Sequence, residues 1–244
     1  MVSSFAAMAL LDTYDLNRDA EDLALARSTC DFLLRDLRRT EKNGTFCFSY
    51  SPLDSSVVYN ASMLGARLLA RVYHYTRERE LRREAQRAVR FALDVQNEDG
   101  SWFYGALPMQ QWIDSYHTGY KVEALHDYAN YCGDYDVLPN LRRAVHFYRK
   151  EFFSENGTPK FYPRSMYPID IHAPAQGIVT LVRACADLPL AKKVARWTIR
   201  HMQDQQGFFY YKKTRFYTIR VPYMRWSQAW MLYGLSWLLG DSGR

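Results

Sequence analysis

Long apolar runs, clustered cysteines and linker-like stretches are all missing from this sequence. No segment approaches the roughly 18 uninterrupted apolar residues of a membrane-spanning helix. The N-terminus has no basic region followed by an apolar core, so no secretory leader is expected. Cys30, Cys47, Cys132 and Cys185 are scattered, without a Cys-x-x-Cys pair. That excludes a disulfide framework and predicts reduced core thiols in a cytoplasmic protein. Glycine and proline are sparse, 12 and 9 in 244 residues, and nowhere gather into a linker, which predicts one domain over 1–244. Signatures of zinc fingers, RRM or KH modules are absent although the net charge is +6. The cations Arg79, Arg82, Arg83, Arg87 and Arg90 read as one solvated helix face. No nucleic-acid partner is expected, whereas an acidic ligand suits the charge.

Aromatic residues, by contrast, are abundant: 16% of the chain, with 19 Tyr and 6 Trp. Rings are costly to leave in water, so they imply a thick core or a cleft lined for stacking on sugar rings.

The strongest pattern is internal repetition. Four segments combine a glycine turn with aromatics: Lys42-Asn43-Gly44-Thr45-Phe46, Glu98-Asp99-Gly100-Ser101-Trp102, Glu155-Asn156-Gly157-Thr158-Pro159 and Gln205-Gln206-Gly207-Phe208-Phe209. Their glycines lie 56, 57 and 50 residues apart, and each segment runs on to a tyrosine: Tyr50, Tyr104, Tyr162, Tyr210. An amphipathic helix precedes each turn. Leu81, Ala85, Ala88, Ala92 and Val95 form one stripe of a 3.6-residue period, as do Leu23, Ala26, Cys30, Leu33 and Leu37. A helix apolar on nearly every side follows, over 57–75, 115–131, 171–186 and 223–239, and such helices are buried.

The order is therefore outer helix, turn, loop, inner helix, repeated. It predicts an all-α α/α toroid, an incomplete or open barrel. The apolar segment 3–14 reads as the inner half of an earlier hairpin, giving about four and a half hairpins. That predicts a chain lacking the N-terminal hairpins of a longer protein, or one that closes as a homo-oligomer. TPR and HEAT solenoids have shorter units and no Gly-aromatic turn.

These turns resemble the QW motif, Gln-x3-Gly-x-Trp, of the terpenoid-cyclase and prenyltransferase superfamily. It stands intact as Gln96-Asn97-Glu98-Asp99-Gly100-Ser101-Trp102, and ends in Phe as Gln203-Asp204-Gln205-Gln206-Gly207-Phe208-Phe209. In that family the motif is structural: the Gln caps the outer helix, the Gly permits the turn and the aromatic locks neighbouring hairpins. The acidic Asp-x-Asp-Asp initiator and the Asp-Asp-x-x-Asp diphosphate pattern are absent, and no Cys lies beside a zinc-binding Asp and His. The chain as a whole is more similar to α/α toroid proteins encoded with bacterial polysaccharide-biosynthesis genes. The likeness rests on Phe48-Ser49-Tyr50, Tyr59-Asn60-Ala61-Ser62, Gly100 to Gly105, Ile113 to Tyr120 and Arg225 to Trp230. More loosely, it resembles six-hairpin glycosidases, uronate epimerases and toroid polysaccharide lyases.

Polar residues recur 15 to 18 positions after each turn glycine: Asn60, His117, His172 and Arg225. Asp54, Asp114 and Asp170 precede the first three. Aligned turns should align these residues at one mouth of the ring, where the N-terminal ends of parallel inner helices add partial positive charge. Taken singly, Asp114 and Asp170 also sit at N-cap spacing, a purely structural role. Three chemistries compete. Elimination from, or epimerisation of, a uronic acid needs a carboxylate holder, a base and an acid. Asn60 and Arg225 can hold the carboxylate, His117 can be the base, and Tyr116 or Tyr120 the acid; toroid lyases use the same residue types. Glycoside hydrolysis needs two carboxylates about 5–9.5 Å apart, with Asp54, Asp114 and Asp170 as candidates. A zinc site from His117, His172 and an Asp lacks tight spacing, so neither metal nor cofactor is expected. Trp102, Trp112, Trp226 and Tyr210 are candidate stacking platforms, with core and inter-hairpin packing as the alternative role, foremost for Trp102.

The expected function is that of a carbohydrate-active or carbohydrate-binding protein of polysaccharide metabolism, taking an acidic oligo- or polysaccharide as partner. The enzyme reading leads, as lyase, epimerase or hydrolase. A terpenoid-type enzyme and a non-catalytic scaffold are the alternatives.

Overall fold

The computed structural model describes residues 2–241. The chain is 62% helical. Its helices are α1 (Val2–Asn17), α2 (Ala20–Arg35), α3 (Tyr59–Thr76), α4 (Arg79–Asp94), α5 (Ser115–Cys132), α6 (Leu138–Phe152), α7 (His172–Arg183), α8 (Leu188–Met202) and α9 (Trp230–Asp241), with a π-helical segment Met224–Ala229 leading into α9. Strands are short: β1 (Arg39–Lys42), β2 (Thr45–Phe48), β3 (Ile169–Asp170), β4 (Lys212–Lys213) and β5 (Thr218–Ile219). The residues fall into two compact units, one within Met1–Glu98, Trp102–Trp112 and Ala124–Leu141, the other within Asp99–Ser101, Ile113–Glu123 and Arg142–Arg244.

In the first unit α1 packs on α2 and α3 on α4. Asp19 caps α2 by accepting from the Glu21 N–H at 2.9 Å, and Glu21 and Asp22 complement the helix dipole in the first turn. The α4 stripe of Leu81, Ala85, Ala88 and Ala92 is buried, while its arginines meet carboxylates: Arg87 and Arg83 face Glu84, and Arg90 faces Asp134. α3 is buried from Tyr59 to Val72, and the two arginines this buries are paired, Arg67 with Asp127 at 2.7 Å and Arg71 with Asp12 at 2.6 Å. The first glycine turn is a two-residue hairpin between β1 and β2. Asn43 and Gly44 both have positive φ, 50° and 78°, the Asn-Gly pairing of a type I′ turn. Trp102 is fully buried and its indole N–H donates to the Ala92 carbonyl at 2.7 Å. The ring therefore anchors the turn to the helix just before it. Gln96 exchanges hydrogen bonds with Asn140, at 3.2 and 2.7 Å. All four thiols are unbridged.

In the second unit α7 packs against both α8 and α9. It is buried from His172 to Leu181. Gly234 brings α9 close: a Cβ there would stand 2.8 Å from the Ala175 carbonyl oxygen. Gly119 does the same between α5 and α7, where a Cβ would lie 2.8 Å from Thr180 Oγ1 and 2.9 Å from Gln176 Cγ. Behind this contact, Glu123 accepts from Gln176 Nε2, from Thr180 Oγ1 at 2.8 Å and from Arg183 Nη1 at 2.9 Å. β3, β4 and β5 form a small antiparallel sheet in which Asp170 stands opposite Lys212. Two departures from the sequence reading occur at the last inner helix. It opens as a π-turn, with the N–H groups of Ser227 and Gln228 both donating to the Tyr223 carbonyl. It is also not buried on all sides: Met231 and Leu238 are covered, Leu232 and Leu239 exposed.

Among the described residues no helix is long and apolar enough to cross a membrane, and no group of His, Cys, Asp and Glu is arranged to hold a metal ion.

Candidate active site

The second unit gathers most of the residues singled out by the repeat. His117 lies in the first turn of α5 and His172 is the first residue of α7. Tyr116 has both imidazoles against its ring, His117 at 4.3 Å and His172 at 4.5 Å between centroids. Trp226, on the π-turn, meets the Tyr116 ring edge-on at 5.8 Å and the His172 ring at 4.4 Å. Trp230 closes the far side of His172 at 4.2 Å. Phe161 borders Tyr116 at 5.6 Å.

Each imidazole is held by its own partner. Asp114 is buried, accepts from the His117 backbone N–H at 3.0 Å, and lies 2.7 Å from His117 Nδ1. It is thus helix cap and imidazole orienter at once. The His117 ring Nδ1 is therefore engaged by Asp114. His172 Nε2 lies 2.5 Å from the Tyr120 hydroxyl. Burial, reinforced by His117, pushes the His172 pKa down to about 3, so its ring is neutral at physiological pH. Burial also raises the Tyr120 phenol well above its ordinary range and keeps it protonated. Nδ1 of His172 is buried without a hydrogen-bond partner among the described residues. An unpaired buried nitrogen costs about 1–3 kcal/mol, a deficit that a bound ligand or water would remove.

Asp170 is the second buried carboxylate. It accepts from the His172 N–H at 3.1 Å and the Trp226 indole N–H at 2.8 Å, and Lys212 Nζ stands 3.6 Å away. Burial raises its pKa despite these donors. Arg225 is exposed on the π-turn, one residue before Trp226.

Of the remaining candidates, Asp54, Asn60 and Trp112 belong to the first unit and Tyr210 to the second. Asp54 is taken up by its own loop: it accepts from Ser51 Oγ at 2.5 Å, from Ser56 Oγ at 2.7 Å and from the N–H groups of Tyr50 and Ser56. Burial acts to raise its pKa, but those hydroxyl and backbone donors hold it down at about 2. Asn60 is fully buried at the start of α3. Trp112 stacks on Tyr104 at 4.5 Å and is half-exposed, a ready-made aromatic platform. Tyr210 donates to Asp204 at 2.8 Å.

Sequence reasoning missed three participants. Lys121 is entirely buried one turn after His117, and burial lowers its pKa to about 7 against the upward pull of Asp114. Its signal was its being the one Lys or Arg in α5. Trp230 follows Trp226 at i+4, a visible pairing. Lys212 reaches Asp170 only through strand pairing, which no local pattern announces.

No family model matches the sequence, and no curated protein does. Solved structures match over nearly the whole chain. The unsaturated glucuronyl hydrolase of Bacillus sp. GL1 superposes with a TM-score of 0.73 at 15% identity, covering 97% of this chain and 72% of its own. A sugar epimerase from a ruminal bacterium gives 0.77 at 12% identity, covering 99% and 70%. The cellobiose 2-epimerase of Bacillus thermoamylovorans gives 0.74 at 10%, covering 98% and 71%. The fold is an α/α toroid. It is six-hairpin glycosidase-like, the looser of the resemblances seen in the sequence, while the toroid itself is what the turn repeat predicts. The His117–Tyr116–His172 cluster lies at the N-terminal ends of α5 and α7.

Proposed function

We propose that the chain is a carbohydrate-active enzyme that removes the C5 proton of a uronic-acid residue in an acidic glycan, the step shared by uronate lyases and epimerases. The observation that carries this reading is the Asp114–His117 pair set against Tyr116. His117 Nε2 takes the proton, and Asp114 stabilises the imidazolium that forms. Tyr116 is part-exposed while Tyr120 is committed to His172, so Tyr116 is the acid that protonates either the leaving O4 or the opposite face of C5. Arg225 neutralises the substrate carboxylate and lowers the cost of the developing carbanion. Trp226 offers a ring face for the sugar, and His172 supplies its unpaired Nδ1 to a substrate oxygen.

Several supports converge. Both buried carboxylates of this cluster, Asp114 and Asp170, are engaged, the first by His117 and the second by Trp226 and Lys212, which leaves imidazole and phenol for the chemistry. The structural relatives include enzymes named for glucuronyl hydrolysis and sugar epimerisation. The four unbridged thiols suit a reducing compartment such as the cytoplasm.

A second reading has one specific observation behind it. Asp170, with its raised pKa, has the character of a general acid for glycoside hydrolysis. Incubation with uronate oligosaccharides in D2O separates the two. C5 deuteration or an unsaturated product, lost in His117→Ala, is the expected result. Hydrolysis without C5 exchange, lost in Asp170→Asn but kept in His117→Ala, would replace the first reading by the second.

A further inference from the structure

The stretch between Asp204 and Asp241 contains five cations, Lys212, Lys213, Arg215, Arg220 and Arg225, and not one carboxylate. Outer helix α4 is the internal contrast, since three of its five arginines, Arg83, Arg87 and Arg90, are matched by Glu84 or Asp134. Here Lys213 and Arg215 have no carboxylate partner among the described residues. Most of this charge sits on the hairpin at 212–219, formed by β4 and β5. The base of that hairpin is bound to the candidate site. β4 pairs with β3 so that Lys212 lies opposite Asp170, and the Ile171 N–H donates to the Tyr211 carbonyl at 3.0 Å.

Its tip is fixed rather than loose. Thr214 N–H donates to the Tyr217 carbonyl at 2.8 Å, and Thr214 Oγ1 accepts from the N–H groups of Tyr217 at 3.0 Å and Phe216 at 3.3 Å. This knot presents Phe216 at 86% exposure and Tyr217 at 63%. Cations sit over rings all along the hairpin: Lys212 over Tyr211 at 4.7 Å, Arg215 over Phe216 at 5.6 Å and Arg220 over Tyr210 at 5.4 Å. Each pair combines a flat apolar face with a positive charge. A uronic-acid residue offers the complement, an apolar ring face and an equatorial carboxylate.

We propose that this hairpin is a polymer-gripping arm, which binds successive acidic sugars of a glycan chain beyond the residue held at the site. The inference rests on the acidic-glycan reading above and extends it to the length of the substrate. Unmatched charge of one sign raises the local concentration of a polyanion, and a tip locked before binding loses little entropy on contact. Because the arm is joined to β3, a chain held on it is fed toward Asp170 and Trp226.

The test compares oligogalacturonate disaccharide and hexasaccharide, neutral maltohexaose and a single-stranded oligonucleotide, titrated calorimetrically against the full chain and its Arg215→Ala/Phe216→Ala variant. Both replaced side chains are at the tip, so the melting temperature should not move. The hexasaccharide should bind the parent about tenfold or more tighter than the disaccharide, and the variant should lose that advantage. Equal affinity of the parent for both lengths overturns the arm, as does an unchanged length preference in the variant. A variant that loses oligonucleotide binding while keeping the hexasaccharide assigns the hairpin to another polyanion and also overturns it. Failure of the C5-proton reading is read separately, in the D2O exchange of His117→Ala.

Discussion

One carboxylate serves His117 twice: Asp114 Oδ1 accepts from its backbone N–H at 3.0 Å, and Oδ2 faces its ring Nδ1 at 2.7 Å. The first bond starts helix α5 and the second sets the imidazole. Replacing Asp114 by Asn keeps an oxygen for the cap but offers an N–H to the ring, which favours the wrong tautomer. The expected result is a loss of about 10²–10³ in kcat with KM changed far less. Steady-state kinetics with a thermal melt checks it; a collapse of the melting temperature with kcat per folded molecule intact would reduce Asp114 to a cap.

Burial of neutral His172 makes stability depend on pH. The unfolded imidazole takes a proton near 6.5, the native one only near 3. Between those values the unfolded chain holds the extra proton, so stability falls as pH falls, by up to about 1.4 kcal/mol per pH unit from this residue. Urea midpoints from pH 7 to 4.5 should show a shallower slope in His172→Gln than in the parent. Identical slopes would remove His172 as the cause.

Trp226→Phe keeps the ring and deletes the indole donor to Asp170. The carboxyl, already raised by burial, should rise further, and if Asp170 is the general acid of the hydrolysis reading the alkaline limb of the pH–rate profile should move up with it. An alkaline limb that stays put would show that the limb reports some other group.

Two glycines separate crowding from backbone strain. Gly119→Ala drives a Cβ to 2.8 Å from Thr180 Oγ1 and must part α5 from α7, costing about 1–3 kcal/mol and separating Tyr120 from His172. Gly44→Ala meets nothing within 4 Å and carries only its positive-φ penalty, about 1 kcal/mol. Chemical denaturation should rank them in that order, with activity falling only in Gly119→Ala.

The sequence by itself determined what is local and periodic. Turn glycines at a steady interval and helical stripes between them were enough for the toroid, since each hairpin must bury its apolar face on the next. The Asp114–His117 pair was also legible, because a spacing of three at a helix start puts a cap and its imidazole side by side. Position in the repeat was a poorer guide to chemistry. Asp54 stands where Asp114 and Asp170 stand, yet Ser51 and Ser56 supply the hydroxyls that occupy it.

Only the tertiary structure decided which groups meet across helices. His172 reaches Tyr116 and Tyr120 because Gly119 allows α5 and α7 to approach, and Trp226 reaches Asp170 because a π-turn opens the last inner helix. Lys212 comes to Asp170 through the register of a two-residue strand. Helix approach, turn type and strand register depend on residues far apart in the chain, so no window of the sequence contains them. The shifted pKa values of His172, Asp170 and Lys121 have the same origin, since they come from burial by those distant neighbours.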